Sequence, residues 1–271
     1  MKTLEQAHQE FNYEQLIQEQ LVGQTNAINA YIECCQRYVG QQKTALIWEG
    51  KNGESEQWSF EQLDVASAQV ANYFKSIGIQ VGDCIAGLLP RTPELLITIL
   101  ATWRIGAIYQ PLFTAFESKA IEHRVLTANT KLIVTNAEQR PKLNHVEVKH
   151  ILTVNAGTNL ASNEADFWQE AKQQSDQCEA VLRSFDDDFL MMFTSGTTGL
   201  AKSVPVPLKA VLAFKGYMQH AVDLREDDSF WNLADPGWAY GLYYGITGPL
   251  SLGHSIIMDE RAFSVDNAAD H

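Results

Sequence analysis

Long apolar runs are missing from this chain. No stretch of its 271 residues approaches the length of a membrane span. The start, Met1-Lys2-Thr3-Leu4-Glu5-Gln6, has none of the apolar core of a signal peptide. Basic residues are scarce: 20 Lys and Arg stand against 33 Asp and Glu, a net charge of −13. That balance argues against broad binding to nucleic acid or to an anionic membrane, while leaving room for a local phosphate site. The four cysteines (Cys34, Cys35, Cys84 and Cys178) form no Cys-x-x-Cys pair. They fit a reducing compartment, with thiols serving as small buried apolar groups. Cys34 and Cys35 are adjacent but have no third or fourth metal ligand at a suitable spacing. The histidines are scattered and form no metal motif. These absences predict a cytoplasmic protein with no metal site of its own. No internal repeat or low-complexity segment is present.

What the chain does have is strand and helix alternation. Residues 5–39 read as helical, with Ala27, Ile28, Tyr31, Ile32 and Cys35 on one face. Residues 44–48 and 57–58 read as a hairpin around Gly50-Lys51-Asn52-Gly53. Ser59-Phe60-Glu61-Gln62 has the form of a capping box, and Gly78 ends the helix it opens. From Asp83 on, strands at 85–89, 108–112, 131–135 and 150–154 alternate with helices. Pro93 stands at the first position of one helix, and Gly106 stops it. A further helix is predicted at 165–174. After Pro207 come a helix at 208–222, a strand at 229–233 that buries Trp231, an apolar helix at 242–250 and a strand at 255–258. The pattern predicts an α/β fold with mainly parallel sheets flanked by helices.

The most informative stretch is Thr194-Ser195-Gly196-Thr197-Thr198-Gly199-Leu200-Ala201-Lys202, which follows an apolar strand over 189–193. Its glycines let the backbone turn sharply and approach a ligand. Such a loop directs several N–H groups into one concavity, which suits an anion. The hydroxyls of Thr194, Ser195, Thr197 and Thr198 can donate to phosphate oxygens, and Lys202 adds a positive charge. One alternative is a plain polar turn, which leaves the lysine and the hydroxyl density unexplained. Another is a Walker A loop. From Gly196 the chain reads Gly-x-x-x-x-Ala-Lys-Ser, with Ala201 where the second glycine belongs.

The same stretch resembles the phosphate-loop signature of the adenylate-forming enzymes: acyl-CoA synthetases, adenylation domains and luciferases. It departs at Ala201 and Ser203, on either side of the lysine, where that family usually has proline and glycine. Three more segments resemble the acetyl-CoA and medium-chain synthetase branches. The first is 87–95 with 106–112. The second is Phe113-Thr114-Ala115-Phe116 with Ala120-Ile121-Glu122-His123-Arg124. The third is Ala234-Asp235-Pro236-Gly237-Trp238-Ala239-Tyr240-Gly241 with 248–253.

The resemblance implies ATP, Mg2+ and CoA as reactants, with a small carboxylic acid converted to an acyl-adenylate and then to a thioester. It implies that Thr194, Ser195, Gly196, Thr197, Thr198, Gly199 and Lys202 hold ATP phosphates. On the same analogy Trp238 shapes the carboxylate pocket and Gly237 leaves it room. Asp235 and Asp259 read as solvated surface acids. Residues 1–80 are expected to contribute to a second sheet, 81–222 to form an α/β subdomain with the loop, and 223–271 to begin a second subdomain. The family's adenine and ribose segments, its hinge and its C-terminal lid with the catalytic lysine have no counterpart in these residues. The expectation is therefore an inactive N-terminal part with no assigned catalytic residue and an incomplete second sheet. Ile256-Ile257-Met258 is expected to lie at an unpaired edge prone to self-association. Two competing readings are a non-catalytic nucleotide- or acyl-binding half-domain and a degenerate P-loop NTPase.

Overall fold

The computed structural model describes residues 5–6, 12–158, 160–194 and 199–261. Its larger sheet has seven strands, in chain order β3 (Cys84–Leu88), β4 (Ile108–Pro111), β5 (Leu132–Asn136), β6 (His150–Val154), β7 (Glu164–Asp166), β8 (Asp188–Thr194) and β9 (Lys202–Pro207). They lie side by side as β7-β6-β5-β3-β4-β8-β9, and every neighbouring pair is parallel except β8 and β9. A smaller sheet has the order β10-β11-β1-β2, from β1 (Thr44–Glu49), β2 (Ser55–Ser59), β10 (Phe230–Trp231) and β11 (Ile256–Asp259). This is the mainly parallel α/β architecture that the alternation predicts.

Local signals set several of the elements. The helix Phe60–Ser76 opens on a formed capping box, in which Ser59 and Gln62 satisfy each other's backbone N–H. The helix Pro93–Arg104 starts on its proline, and Gly106 follows it at φ +71°. Eleven of its side chains are buried, including Arg104. That arginine is tolerated because Asp64 and the Cys178 carbonyl accept its hydrogen bonds and it lies 4.3 Å from the Tyr31 ring centre. One continuous apolar core links the two sheets, from Leu46 and Met258 to Ile85 and Leu132. All four cysteines are buried and free.

The structure corrects five expectations. Residues 12–39 do not form one helix: Tyr13–Gln20 and Ala30–Cys34 are helical, and the chain between them is not. The buried Glu33 carboxylate accepts the N–H groups of Val22 and Gly23, and Ile28 bridges to Arg183. Those tertiary partners outweigh the helical periodicity. Ile256–Met258 is no free edge, because β11 lies between β1 and β10 and pairs in parallel with both. The exposed flank there is the two-residue β10. The helix expected at 165–174 is instead β7 followed by Phe167–Ala171, with Asp166 accepting the Gln169 N–H as the cap. Trp231 is half-buried rather than buried. The apolar stretch after it runs as Ala239–Leu242, a π turn at Tyr243–Thr247, and Gly248–Ser251.

Candidate functional site: a hairpin loop beside an aromatic wall

The glycine- and hydroxyl-rich stretch joins two antiparallel strands. Thr194 ends β8, Lys202 begins β9, and the two face each other in the ladder. Both are exposed, at the mouth of the loop. Gly199 sits at φ +100°, a conformation that a side chain strains against. Ser195, Gly196, Thr197 and Thr198 lie outside the described residues. A Walker A loop feeds a helix, whose N-terminus then faces the phosphates. In this chain the loop returns as a strand, so the P-loop NTPase reading is corrected. Pro205 and Pro207 fit β9 because it is the sheet's edge strand, where missing donors cost little.

The helix Ser118–Thr127 braces the loop. His123 Nε2 lies 2.8 Å from the Ala201 carbonyl. A carbonyl only accepts, so this nitrogen carries the proton. Arg124 lies 4.1 Å from the Phe116 ring centre and 5.6 Å from that of Phe193, at the end of β8. Its guanidinium also donates to the Ala120 carbonyl, and burial pulls its pKa below the usual arginine value.

Phe116 leads to the third segment. Phe113, Phe116 and Trp238 form a trio with ring centres 5.6 to 5.8 Å apart. Trp238 keeps 45% of its surface exposed. The Asp235–Trp238 turn is closed by the Gly237 N–H on Asp235 Oδ1 and by the Trp238 N–H on the Asp235 carbonyl. A Cβ on Gly237 would stand 2.6 Å from Phe113 Cα. The space that Gly237 leaves is therefore filled by the Phe113 backbone.

Neither aspartate is a solvated surface acid, which corrects the sequence reading. Asp259 is 4% exposed and is gripped by Arg261. Asp235 is half-buried, and burial pushes its carboxyl pKa up against the Gly237 N–H and Arg91, which pull it down. Among the described residues no cluster of His, Cys, Asp and Glu is placed to hold a metal ion. No helix among them is long and apolar enough to cross a membrane.

The structure thus joins the described ends of the loop to the second resembling segment, and joins that segment to Trp238. His123, Arg124 and Phe116 act as the braces. In the sequence they stand in resembling stretches with no role of their own, because only the packing of the helix on the hairpin reveals it.

The chain matches the AMP-binding enzyme family over residues 35–269. It is 34% identical to an acetyl-coenzyme A synthetase of Deinococcus radiodurans, over 89% of this chain and 40% of that enzyme. It is 28% identical to the Bacillus subtilis acetyl-coenzyme A synthetase, over 98% of this chain and 48% of that one. The crystal structure of a Brucella canis acyl-CoA synthetase superposes with a TM-score of 0.95 at 48% identity, covering all of this chain and 50% of its own. The chain therefore spans about half the length of the relatives it matches. With the family match running through most of its residues, the chain belongs to the AMP-binding enzymes, the adenylate-forming family that its loop resembles.

Proposed function

We propose that this chain supplies the phosphate-holding loop and part of the acyl-facing wall for ATP-dependent activation of a small carboxylic acid. In that reaction a carboxylate oxygen attacks the α-phosphorus of ATP, forming the acyl-adenylate and releasing pyrophosphate. The thiol of CoA then displaces AMP to give the thioester. The observation that carries the reading is the hairpin. The Thr194 hydroxyl and the Lys202 ammonium flank its mouth across the ladder, and Gly199 opens its backbone. Such a loop stabilises phosphate charge through fixed donors, the main requirement for phosphoryl transfer. In this reading Thr194, Gly199 and Lys202 hold the ATP phosphates together with Ser195, Gly196, Thr197 and Thr198. Trp238, backed by Phe113 and Phe116, lines the acyl side. Mg2+ arrives on the nucleotide, and no step is assigned to a protein ligand for it. Buried free thiols fit a cytoplasmic setting.

These 271 residues bind nucleotide phosphate and do not complete the reaction alone. Carboxylate-dependent ATP–pyrophosphate exchange, run with a pool of short to medium acids, tests this. The expected result is no exchange, with ATP binding detectable by calorimetry and weakened by Lys202→Ala. Exchange by the isolated chain would overturn the claim of inactivity and begin to identify the acid. Absence of any ATP binding would overturn the half-site itself.

A further inference from the structure

A groove of about 490 Å3 opens between the β1–β2 hairpin, the start of the helix Pro93–Arg104 and the helix Phe167–Ala171. None of Thr194, Gly199, Lys202 and Trp238 lines it. Three half-buried tryptophans do, and each donates its indole N–H to a carboxylate of the same groove. Trp58 donates to Glu56 at 2.9 Å, Trp168 to Glu94 at 2.9 Å and Trp48 to Glu260 at 3.1 Å. The Trp58 and Trp168 rings lie within 19° of parallel, with centres 6.4 Å apart. With its N–H edge taken by a carboxylate, an indole has its electron-rich face left for a ligand, and that face attracts cations.

The charges point the same way. Five carboxylates and one ammonium line the groove. The ammonium, Lys51, stands at one end, where it donates to Glu138. Burial pushes the Glu260 carboxyl up, while Trp48 and Lys51 hold it down. The other three carboxylates accept only from neutral N–H groups among the described residues: Glu54 from Asn52, Glu56 from Trp58 and Glu94 from Trp168. A metal ion needs several such oxygens converging on one point, and no group of described residues is placed that way. Each carboxylate at the tryptophan end stands instead beside its own indole. That arrangement suits a cation that is extended and partly apolar.

Thr92 adds an uncharged acceptor. It is the N-cap of the helix Pro93–Arg104 and lines the groove. An N-cap threonine ordinarily accepts the N–H of the second or third helical residue. This one caps no N–H, and its hydroxyl is buried without a hydrogen-bond partner among the described residues. Its oxygen is free to accept from an ammonium. The positive end of the helix is met by Glu94 in its first turn.

We propose that this groove binds an aliphatic oligoamine, a chain of ammonium groups separated by methylenes. The methylenes lie on the Trp58 and Trp168 faces, and the ammonium groups donate to Glu56, Glu94 and the Thr92 hydroxyl. The volume accommodates a ligand longer than a single amine.

Titration calorimetry on the 271-residue chain tests the site, at fixed ionic strength and without ATP, whose phosphates would compete for the amine. The probe is spermidine, with butylamine and Mg2+ as controls. Saturable binding of spermidine is expected, with both controls at least about tenfold weaker, because butylamine has one charge and Mg2+ has no apolar part. Glu56→Gln and Glu94→Gln keep an acceptor for the indole, and each should weaken spermidine by about tenfold. Glu147→Gln removes an exposed carboxylate that does not line the groove and should change nothing. Thr92→Val should weaken binding about threefold or more while leaving the unliganded protein as stable or more so, since the hydroxyl caps nothing. Four outcomes would each overturn the site: no saturable binding, a control as tight as spermidine, an equal loss in Glu147→Gln, or unchanged affinity in both glutamine variants of the groove. The ATP reading is independent of these outcomes.

Discussion

Replacing Gly237 by alanine should damage the aromatic wall in a way that its chemistry alone does not suggest. The added Cβ would sit 2.6 Å from Phe113 Cα, and 2.9 Å from both Phe113 Cβ and Asp235 Oδ1. Ordinary contact begins near 3.4 Å, so one of the two backbones must retreat by about 0.8 Å. Phe113 is poorly placed to yield. Its carbonyl accepts the Phe116 N–H, and Lys142 donates to the carbonyl of the next residue, Thr114. Asp235 is held by its own turn. Overpacking of this kind costs about 1–3 kcal/mol. The matched control is Gly216→Ala in the helix Ala210–His220, where an added Cβ meets nothing within 4 Å and φ is not positive. A helical glycine replaced by alanine gains about 0.5–1 kcal/mol. Urea denaturation should therefore lower the midpoint for Gly237→Ala and raise it for Gly216→Ala. Exposure of Trp238 to an aqueous quencher should rise only in the first variant, because the indole loses its seat on Phe113 and Phe116. Equal midpoints for the two variants would refute the claim that Gly237 is fixed by contact with the Phe113 backbone.

Lys202→Ala should weaken ATP binding by about tenfold to a hundredfold, the loss of one charged contact, and change stability by no more than about 0.5 kcal/mol, because the side chain is exposed. Calorimetry and melting of the same samples check both halves. Asp64→Ala should cost about 3 kcal/mol by denaturation, because it strips a carboxylate from Arg104, whose side chain is 7% exposed, and from the Tyr31 hydroxyl. Lys215 supplies a pH signature. Burial lowers its pKa from 10.5 to about 8, with Arg37 pushing the same way and Glu33 opposing. Between those values the unfolded chain binds more protons than the folded one, so this lysine's penalty is full below pH 8 and fades as pH rises above it. Lys215→Met removes the charge, and Arg37 still donates to the Gln20 carbonyl that Lys215 served. Its stability relative to wild type should be most favourable near pH 7 and decline through about pH 8 to 10; a flat difference would refute the assignment.

Where a signal is local, the sequence announces it. Ser59 and Gln62 are three residues apart and close on each other, so the capping box can be read directly. Pro93, Gly78 and Gly106 mark helix ends through their own backbone preferences. Several of the misreadings involve distant partners. Glu33 resembles one more polar helix residue, yet its carboxylate takes two backbone N–H groups from the connection before its own helix and breaks the run. Asp259 has the sequence surroundings of a solvated acid, yet β11 carries it alongside Glu49 of β1, far earlier in the chain. Trp231 passes for core because aromatics in strands usually are, but its strand is a short sheet edge. The site follows the same rule: the loop is legible, and its braces on the helix Ser118–Thr127 are not.

The antiparallel return at Lys202 also changes how this loop can hold a phosphate. In a strand–loop–helix cradle, much of the attraction comes from the helix N-terminus and its aligned N–H groups. β9 offers no such dipole, because successive strand peptides largely cancel. On the proposed reading, charge stabilisation at this hairpin would come from side-chain hydroxyls, backbone N–H groups and the Lys202 ammonium. Those donors would be useful only if the loop holds its shape. Among the described residues the helix Ser118–Thr127 supplies two supporting contacts: His123 on the Ala201 carbonyl, and Arg124 between Phe116 and Phe193. Because Phe116 also seats Trp238, the element that supports the described end of the loop carries the aromatic wall. A shift of that helix would move both together, so phosphate binding and acyl fit should respond jointly to substitution at Phe116.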